Sequence, residues 1–244
     1  MTLTRSGDEI AVWFSLEQAG GGICGPDGAR LRPRYNLAPS QPVLTVVASR
    51  GGRLACWKAW GLVPPWAGVG SAASGFFNAR SETAERKPAF RATWKRHRCL
   101  VVADGFYEWT PRRRGHRAFH FRPAKAPLLA LAGLHEPESG SCTVLTTRAN
   151  PDLDTIHDRM PVILAPADFD TWLDPATKPE DLAVLAKPAP RGTLERRAVG
   201  RFVHDPRVDD PRCLLPASAD VSDCDGDAAS RQGELFASSG GSSE

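Results

Sequence analysis

Residues 98–109 read RCLVVADGFYEW, an apolar run that meets a carboxylate between two aromatic side chains. The part Cys99–Trp109 is rich in β-branched and aromatic residues, which predicts a strand. Similar short runs bounded by turn residues predict further strands at Val43–Ala48, Leu54–Trp60, Ala118–Phe121, Leu128–Leu134 and Cys142–Thr147. Strands therefore outnumber helices without strictly alternating with them, which indicates an α+β fold rather than a doubly wound sheet.

Helical segments flank these strands. Ser6 and Glu9 have the spacing of a capping box, which predicts a helix from Ser6 to about Gln18. A second helix is predicted over Glu82–Arg96 with an interruption at Pro88, because proline lacks the amide hydrogen that a helix interior needs. A third is predicted over Pro166–Leu173, with a further helical turn around Glu180–Leu185.

The composition excludes several classes of protein. The 244 residues are 41% hydrophobic and 24% charged, with a mean hydropathy of −0.31, which is unlike a fibrous, membrane or wholly disordered protein. No apolar run approaches the ~18 residues of a membrane span, and the N-terminus does not resemble a signal peptide. We therefore expect a cytoplasmic protein without a membrane partner.

The six cysteines are far apart and form no Cys-x-x-Cys pair. This spacing argues against a zinc site, and the sequence gives no other sign of a metal or cofactor. The expected state of the cysteines is the reduced thiol, with Cys56, Cys99 and Cys142 as small core residues because each lies in an apolar run.

The charge is unevenly distributed. Residues 217–244 contain six acids and one base, which leaves 30 Lys and Arg against 22 Asp and Glu in residues 1–216. The basic part predicts one globular domain, and its charge is compatible with a polyanionic partner such as nucleic acid, or with solubility alone. The acidic part is rich in Ser, Gly and Asp and is predicted to be a disordered tail.

Two residues could transfer protons. Glu108 lies between Tyr107 and Trp109, so it is either the solvent face of an alternating strand or a carboxyl group of raised pKa that suits acid–base chemistry. His157, in the run IHDRMP at 156–161, is either a satisfied turn histidine or a proton shuttle.

The other candidates could bind or orient a ligand. Asn36 and Asn78 are either turn residues or ligand contacts. Arg80 and Arg159 could form structural ion pairs or bind phosphates, and Trp66 could be a core residue or a surface on which a base stacks.

In this order, six blocks of the sequence resemble the SOS response-associated peptidase family, also called abasic-site processing proteins. The blocks are RYNLAP (34–39), WGLVPPW (60–66), NARSET (78–83), ADGFYEW (103–109), LTTRAN (145–150) and IHDRMP (156–161). With their flanks they cover residues 1–216. The resemblance implies a single α+β domain around a curved, mostly antiparallel β-structure, in a monomer that acts in the DNA damage (SOS) response at the nucleoid.

The resemblance also implies a chemistry. Family members bind single-stranded DNA and link covalently to the ring-opened aldehyde of an abasic site, a lyase-type reaction, through an N-terminal cysteine that closes a thiazolidine. It assigns catalytic roles to Asn78, Glu108 and His157, and DNA contacts to Asn36, Trp66, Arg80 and Arg159.

The printed sequence departs from that pattern at its start. The family begins Met-Cys-Gly-Arg-aromatic, whereas this chain begins Met1-Thr2-Leu3-Thr4-Arg5. We expect the missing piece to lie upstream of a clipped start. One alternative is a variant that binds abasic or single-stranded DNA without forming the thiazolidine, in which removal of Met1 would let Thr2 form only a weaker oxazolidine-type adduct. Another is a member without function. A thiol-type (auto)peptidase, as the family name suggests, is a further alternative.

One island interrupts the tail. Gln232-Gly-Glu-Leu235-Phe236 is similar to the pentapeptide by which bacterial repair proteins bind the replication sliding clamp. Leu235 and Phe236 would fill an apolar pocket and Gln232 would bond at its rim. The sequence thus predicts the sliding clamp as a second partner.

Overall fold

The computed structural model describes residues 1–17, 23–67, 75–111 and 116–217. Its strands agree with the predicted ones to within a few residues, apart from one that is split and four that are additional. In chain order they are β1 Pro42–Ser49, β2 Gly52–Trp60, β3 Asn78–Arg80, β4 Arg98–Ala103, β5 Phe106–Trp109, β6 Ala118–Pro123, β7 Leu129–Glu136, β8 Ser141–Arg148, β9 Arg159–Pro161, β10 Ile163–Leu164 and β11 Leu194–Val199.

Five strands close into a barrel. β1 pairs with β2 and β4, β7 pairs with β4 and β8, and β2 pairs with β8, so the path returns to its start. Within this barrel only the β2–β8 pair is parallel. β3 and β9 add to β8, and β10 adds to β7. This arrangement confirms the expected α+β fold around a curved, mostly antiparallel sheet.

The prediction of one continuous strand over Cys99–Trp109 is wrong at its centre. β4 ends at Ala103 and β5 begins at Phe106, because the N-terminal segment pairs with the two residues between them. The Thr2 amide donates to the Gly105 carbonyl at 2.8 Å, and the Asp104 amide donates to the Thr2 carbonyl at 2.9 Å. After this break the chain leaves the barrel and enters a second sheet of order β11-β6-β5.

The helices cover the barrel. They are α1 Gly7–Phe14, α2 Ser81–Ala84, α3 Pro88–Arg96, α4 Phe169–Leu173 and α5 Pro179–Leu185. Ser6 caps α1 with the predicted capping box, but the helix ends before Gln18 because Ser15 has a left-handed backbone (φ 48°). Phe14 stacks on Phe169 at a centroid distance of 5.3 Å, which joins α1 to α4. None of the helices in the described ranges is long and apolar enough to cross a membrane.

Candidate active site

A cavity of about 680 Å³ opens where the barrel meets the second sheet. It brings together six of the seven residues predicted to touch or transform DNA, although they lie far apart in the sequence. Around it are the predicted residues Asn36, Asn78, Arg80, Glu108, His157 and Arg159, together with Met1, Thr146 and His204. The seventh, Trp66, does not line this cavity; its side chain is 68% exposed on a short 3-10 helix.

The α-amino group of Met1 is buried at this cavity. It donates to the Leu37 carbonyl at 2.7 Å, and the Leu37 amide donates back to the Met1 carbonyl at 2.8 Å. Removal from water disfavours the charged form and lowers the pKa of the amine to about 5. At neutral pH the amine is therefore uncharged, which makes it a nucleophile.

Glu108 lies on β5 and also lines the cavity. Burial raises the pKa of its carboxyl group to about 7, with a smaller opposing effect from His157, which lies 4.0 Å away between Nδ1 and Oε2. The α-amino group of Met1 is a further neighbour of this carboxyl group. The cavity thus holds a neutral amine and a carboxyl group that is half protonated near pH 7.

His157 lies in the turn between β8 and β9. Its Nδ1 is 3.1 Å from both the backbone amide nitrogen and the carbonyl oxygen of Arg159, so the ring can accept from the first or donate to the second, depending on its tautomer. With 43% of its side chain exposed, His157 can exchange protons with solvent.

Asn78 and Arg80 project from β3, which runs parallel to β8. Both are exposed at the cavity, whereas Ala79 between them is buried. Since side chains alternate along a strand, the spacing of two residues places both on the same face. β3 thus presents an amide and a guanidinium group to the cavity.

Arg159 is held by partners within the protein. Its guanidinium forms a bidentate pair with Glu82, at 2.7 and 2.9 Å, and donates to the Thr146 carbonyl at 2.5 Å. This pair lowers the pKa of Glu82. Only 19% of the Arg159 side chain is exposed, so the pair links β9 to α2 beside the cavity.

The two arginines are therefore expected to differ as Gln variants. Arg80→Gln tests the DNA contact that the sequence predicts for Arg80: the affinity for single-stranded DNA should fall, and the slope of log affinity against log salt concentration should become shallower by ~0.7. Arg159→Gln should lower the free energy of unfolding by about 1–2 kcal/mol, because it breaks charge-assisted hydrogen bonds to a half-exposed partner. Fluorescence anisotropy at several salt concentrations and denaturant unfolding of both variants check this. Equal salt slopes for Arg80→Gln and the parent would contradict it.

The side chain of Asn36 is buried and hydrogen-bonded to other parts of the protein. Its side-chain amide donates to the carbonyls of Val203, Asp205 and Val208 at 3.1–3.3 Å, and the residue is 5% exposed. Its backbone amide donates to Asp209 at 2.8 Å. These bonds fix the segment that pairs with Met1. A direct contact of Asn36 with DNA stays a prediction.

Several predictions concern other parts of the chain. The tail island Gln232, Leu235 and Phe236 lies outside the described residues. All five cysteines in the described ranges are free, and Cys99 and Cys142 are buried as expected of core residues. Cys56 is only partly buried, so its assignment to the core is wrong. Within these ranges no group of three or more His, Cys, Asp or Glu could hold a metal ion.

Sequence reasoning missed three contributors to the cavity: the α-amino group of Met1, Thr146 and His204. Thr146 lies in the block LTTRAN, one of the six that carry the family resemblance, so the sequence did offer a reason to consider it as a site residue. His204 follows β11 in a short 3-10 helix, and its ring is 6.1 Å from that of Trp109. It lies outside all six blocks, so no sequence pattern pointed to it.

The fold also occurs in solved proteins. A crystal structure of a protein from Bacteroides thetaiotaomicron has a TM-score of 0.75 at 21% identity, over 88% of this chain and 98% of that one. A protein from Bordetella bronchiseptica has a TM-score of 0.65 at 24% identity, over 82% and 98% of the two chains. These likenesses define a class of proteins that share this α+β architecture.

Within that class, the sequence comparison assigns the chain to one family. The model of the SOS response associated peptidase (SRAP) family matches residues 1–206, and the chain belongs to this family. It is similar to the abasic site processing protein YoqW of Bacillus subtilis (strain 168), with 34% identity over 87% of this chain and 96% of that protein. It is also 33% identical to the abasic site processing protein HMCES of Gallus gallus, over 79% and 68% of the two chains.

Proposed function

We propose that this protein processes abasic sites in single-stranded DNA by forming a covalent bond between the aldehyde of the ring-opened sugar and the N-terminal amine. The observation that carries the proposal is one cavity that joins Glu108, a carboxyl group of raised pKa, to Met1, whose α-amino group has a lowered pKa when Met1 is the first residue. An uncharged amine can attack an aldehyde at neutral pH, whereas an ordinary α-amino group of pKa about 8 is mostly protonated there. The names of the relatives support the choice of an abasic site as substrate.

The reaction has two proton-dependent steps. The amine nitrogen attacks the aldehyde carbon, and a proton moves from nitrogen to oxygen to give a carbinolamine. Loss of water then gives the imine, and this step needs an acid that protonates the leaving hydroxyl group. Glu108 can supply that proton because its raised pKa leaves it partly protonated near pH 7.

The other lining residues have supporting roles in this proposal. Asn78 orients the hydroxyl groups of the opened sugar, and Arg80 binds a flanking phosphate. His157 exchanges protons with solvent at the exposed side of the cavity and assists ring opening and reversal of the crosslink. Trp66 offers an exposed ring on which a neighbouring base can stack.

The product depends on the residue that begins the mature chain. With Met1 first, the product is an imine, because methionine has no β-thiol. Removal of Met1 would withdraw the amine from the cavity, since Thr2 is fully buried and lines a different cleft. If Cys-Gly-Arg preceded Met1, the cysteine would supply both the amine and a thiol, and the thiol would add to the imine carbon and close a thiazolidine. These three residues span ~10 Å at full extension.

An abasic oligonucleotide distinguishes the proposal from its alternatives. We expect a band of protein–DNA adduct on a denaturing gel after borohydride treatment, and none with a tetrahydrofuran analogue, which has no aldehyde. A salt-sensitive shift on native gels without an adduct would indicate a module that only binds DNA. If neither an adduct nor a shift is observed, the peptidase alternative remains, although the described lining residues include no serine or cysteine.

We also propose the replication sliding clamp as a partner, on the strength of the pattern Gln-x-x-Leu-Phe at 232–236. Docking there would bring the domain to replicating DNA at the nucleoid. Purified clamp should retain the full chain on a column but not the Leu235→Ala/Phe236→Ala variant. Equal retention of both proteins would overturn this assignment.

A further inference from the structure

The N-terminal segment is held on both edges. On one edge the amides and carbonyls of Leu3 and Arg34 exchange two hydrogen bonds at 2.8 Å. On the other edge Thr2 exchanges two hydrogen bonds with Asp104 and Gly105, at 2.8 and 2.9 Å. The segment therefore behaves as an inserted strand, and its register decides where the α-amino group lies.

Asp104 adds a side-chain contact to this strand. Its Oδ2 accepts hydrogen bonds from the Thr4 amide at 2.5 Å and from the Thr4 hydroxyl at 2.6 Å. Bonds to a carboxylate are stronger than bonds between neutral groups. One carboxylate oxygen thus fixes both the backbone and the side chain of Thr4, three residues from the amine.

His120 makes the matching contact to Thr2. Its Nε2 is 3.1 Å from the Thr2 hydroxyl, and burial lowers the pKa of the ring to about 4, so it is neutral in the physiological range. The ring fits only because residue 105 is glycine, since a Cβ there would lie 2.2 Å from Nε2. We refer to Asp104, Gly105 and His120 as the strand anchor.

We propose that the strand anchor positions the start of the chain, and with it the N-terminal amine, for reaction without touching the DNA. None of the three residues lines the cavity that Met1 lines; Asp104 and His120 line a separate cleft of about 960 Å³, which shares no lining residue with that cavity. This inference rests on the proposed function. It explains why Asp and Gly precede the aromatic part of the block ADGFYEW.

The pKa of the amine is a direct readout of its position. Burial is the main cause of the lowering, so an anchor variant that lets the strand move into water should raise the pKa towards 8. Charged and titratable groups also act on it. Asp209, Asp104 and Cys213 raise the pKa of the amine and Arg34 lowers it, while Glu108 and His120 are groups whose own pKa values the amine affects.

Two substitutions of Asp104 separate positioning from charge. Asp104→Asn removes the negative charge but keeps an oxygen that can accept from the Thr4 amide, so the pKa of the amine should stay the same or fall. Asp104→Ala removes both contacts, so the pKa should rise. At pH 6, a rise from 5 to 8 would reduce the neutral amine up to ~100-fold, and the loss should largely disappear at pH 9.

The experiment measures labelling of the N-terminal residue by an acylating reagent between pH 4 and 10, in the full chain without DNA, with the first residue verified by mass. Asp8→Ala, an exposed acid on α1, is the matched control and should behave as the parent. Thermal unfolding reports whether each variant folds. If Asp104→Ala does not fold, Gly105→Ala, which displaces His120, and Thr4→Val, which removes one bond to Asp104, provide the same test.

A rise in the amine pKa for Asp104→Ala, with none for Asp104→Asn, supports the proposal. Unchanged values, or an equal fall in both variants, would overturn it, because Asp104 would then have no effect on the amine or act through its charge alone. Failure of the proposed function would be distinguishable from these outcomes, because it would appear as a parent protein that forms no adduct with abasic DNA.

Discussion

Glu108→Gln should slow formation of the imine with abasic DNA by ~10²–10⁴-fold at pH 6 and leave the fold intact. Glutamine has the same shape but cannot protonate the leaving hydroxyl group of the carbinolamine. The rate of adduct formation, measured by borohydride quenching at timed intervals, checks this. His157→Ala is the comparison: it should slow reversal of the crosslink more than its formation. Equal rates for Glu108→Gln and the parent would contradict the assigned role of Glu108.

The pH dependence of adduct formation by the parent follows from two groups, the N-terminal amine and Glu108. The amine must be neutral, which requires a pH above its lowered pKa of about 5. Glu108 must be protonated, which requires a pH below its raised pKa of about 7. The rate should therefore be highest between these values and fall on both sides, and Glu108→Gln should lose the decline on the alkaline side. A rate that rises steadily to pH 9 would be the behaviour of an ordinary exposed amine.

Blocking the N-terminal amine should have the largest effect of all. Acetylation of this amine leaves no lone pair that can attack an aldehyde, so the adduct should disappear. Binding to intact single-stranded DNA, measured by anisotropy, should change little, because acetylation does not alter Arg80 and Trp66, the residues proposed to contact DNA. A protein that still forms the adduct after complete N-terminal acetylation would use a lysine, and the proposed mechanism would be wrong.

The sequence predicted the local elements well. These elements depend only on neighbouring residues. The structure has the capping box at Ser6, a break between two helices just before Pro88, and strands at the short β-branched runs. The four additional strands have weaker local signals. β3, β9 and β10 are only two or three residues long, and β11 has three charged residues in six, which conceals its pairing with β6.

Long-range pairing was beyond such reasoning. Closure of the barrel depends on the pairing of β2 and β7 with β8, which no local pattern encodes. The strand anchor joins residues more than 100 positions apart in the case of His120 and Thr2. For the same reason the continuous strand expected over Cys99–Trp109 is broken by a segment from the start of the chain.

The sequence proposed the residues of the candidate site but not their geometry. Similarity to a family pointed to Asn78, Glu108 and His157, and the structure places all three around one cavity, while their catalytic roles stay predictions. The nucleophile was expected from a cysteine that the printed sequence does not contain. The buried α-amino group became visible only in the structure, because its lowered pKa is a property of burial.

The most direct test of the account is to locate the covalent bond. The native protein is incubated with an abasic single-stranded oligonucleotide at pH 6, reduced with borohydride and digested, and the modified peptide is identified by mass spectrometry. We predict that the sugar remnant is attached to the N-terminal residue of the mature chain, as a secondary amine for methionine or as an unreduced thiazolidine for cysteine. Attachment to an internal lysine, or no attachment at all, would contradict the central claim.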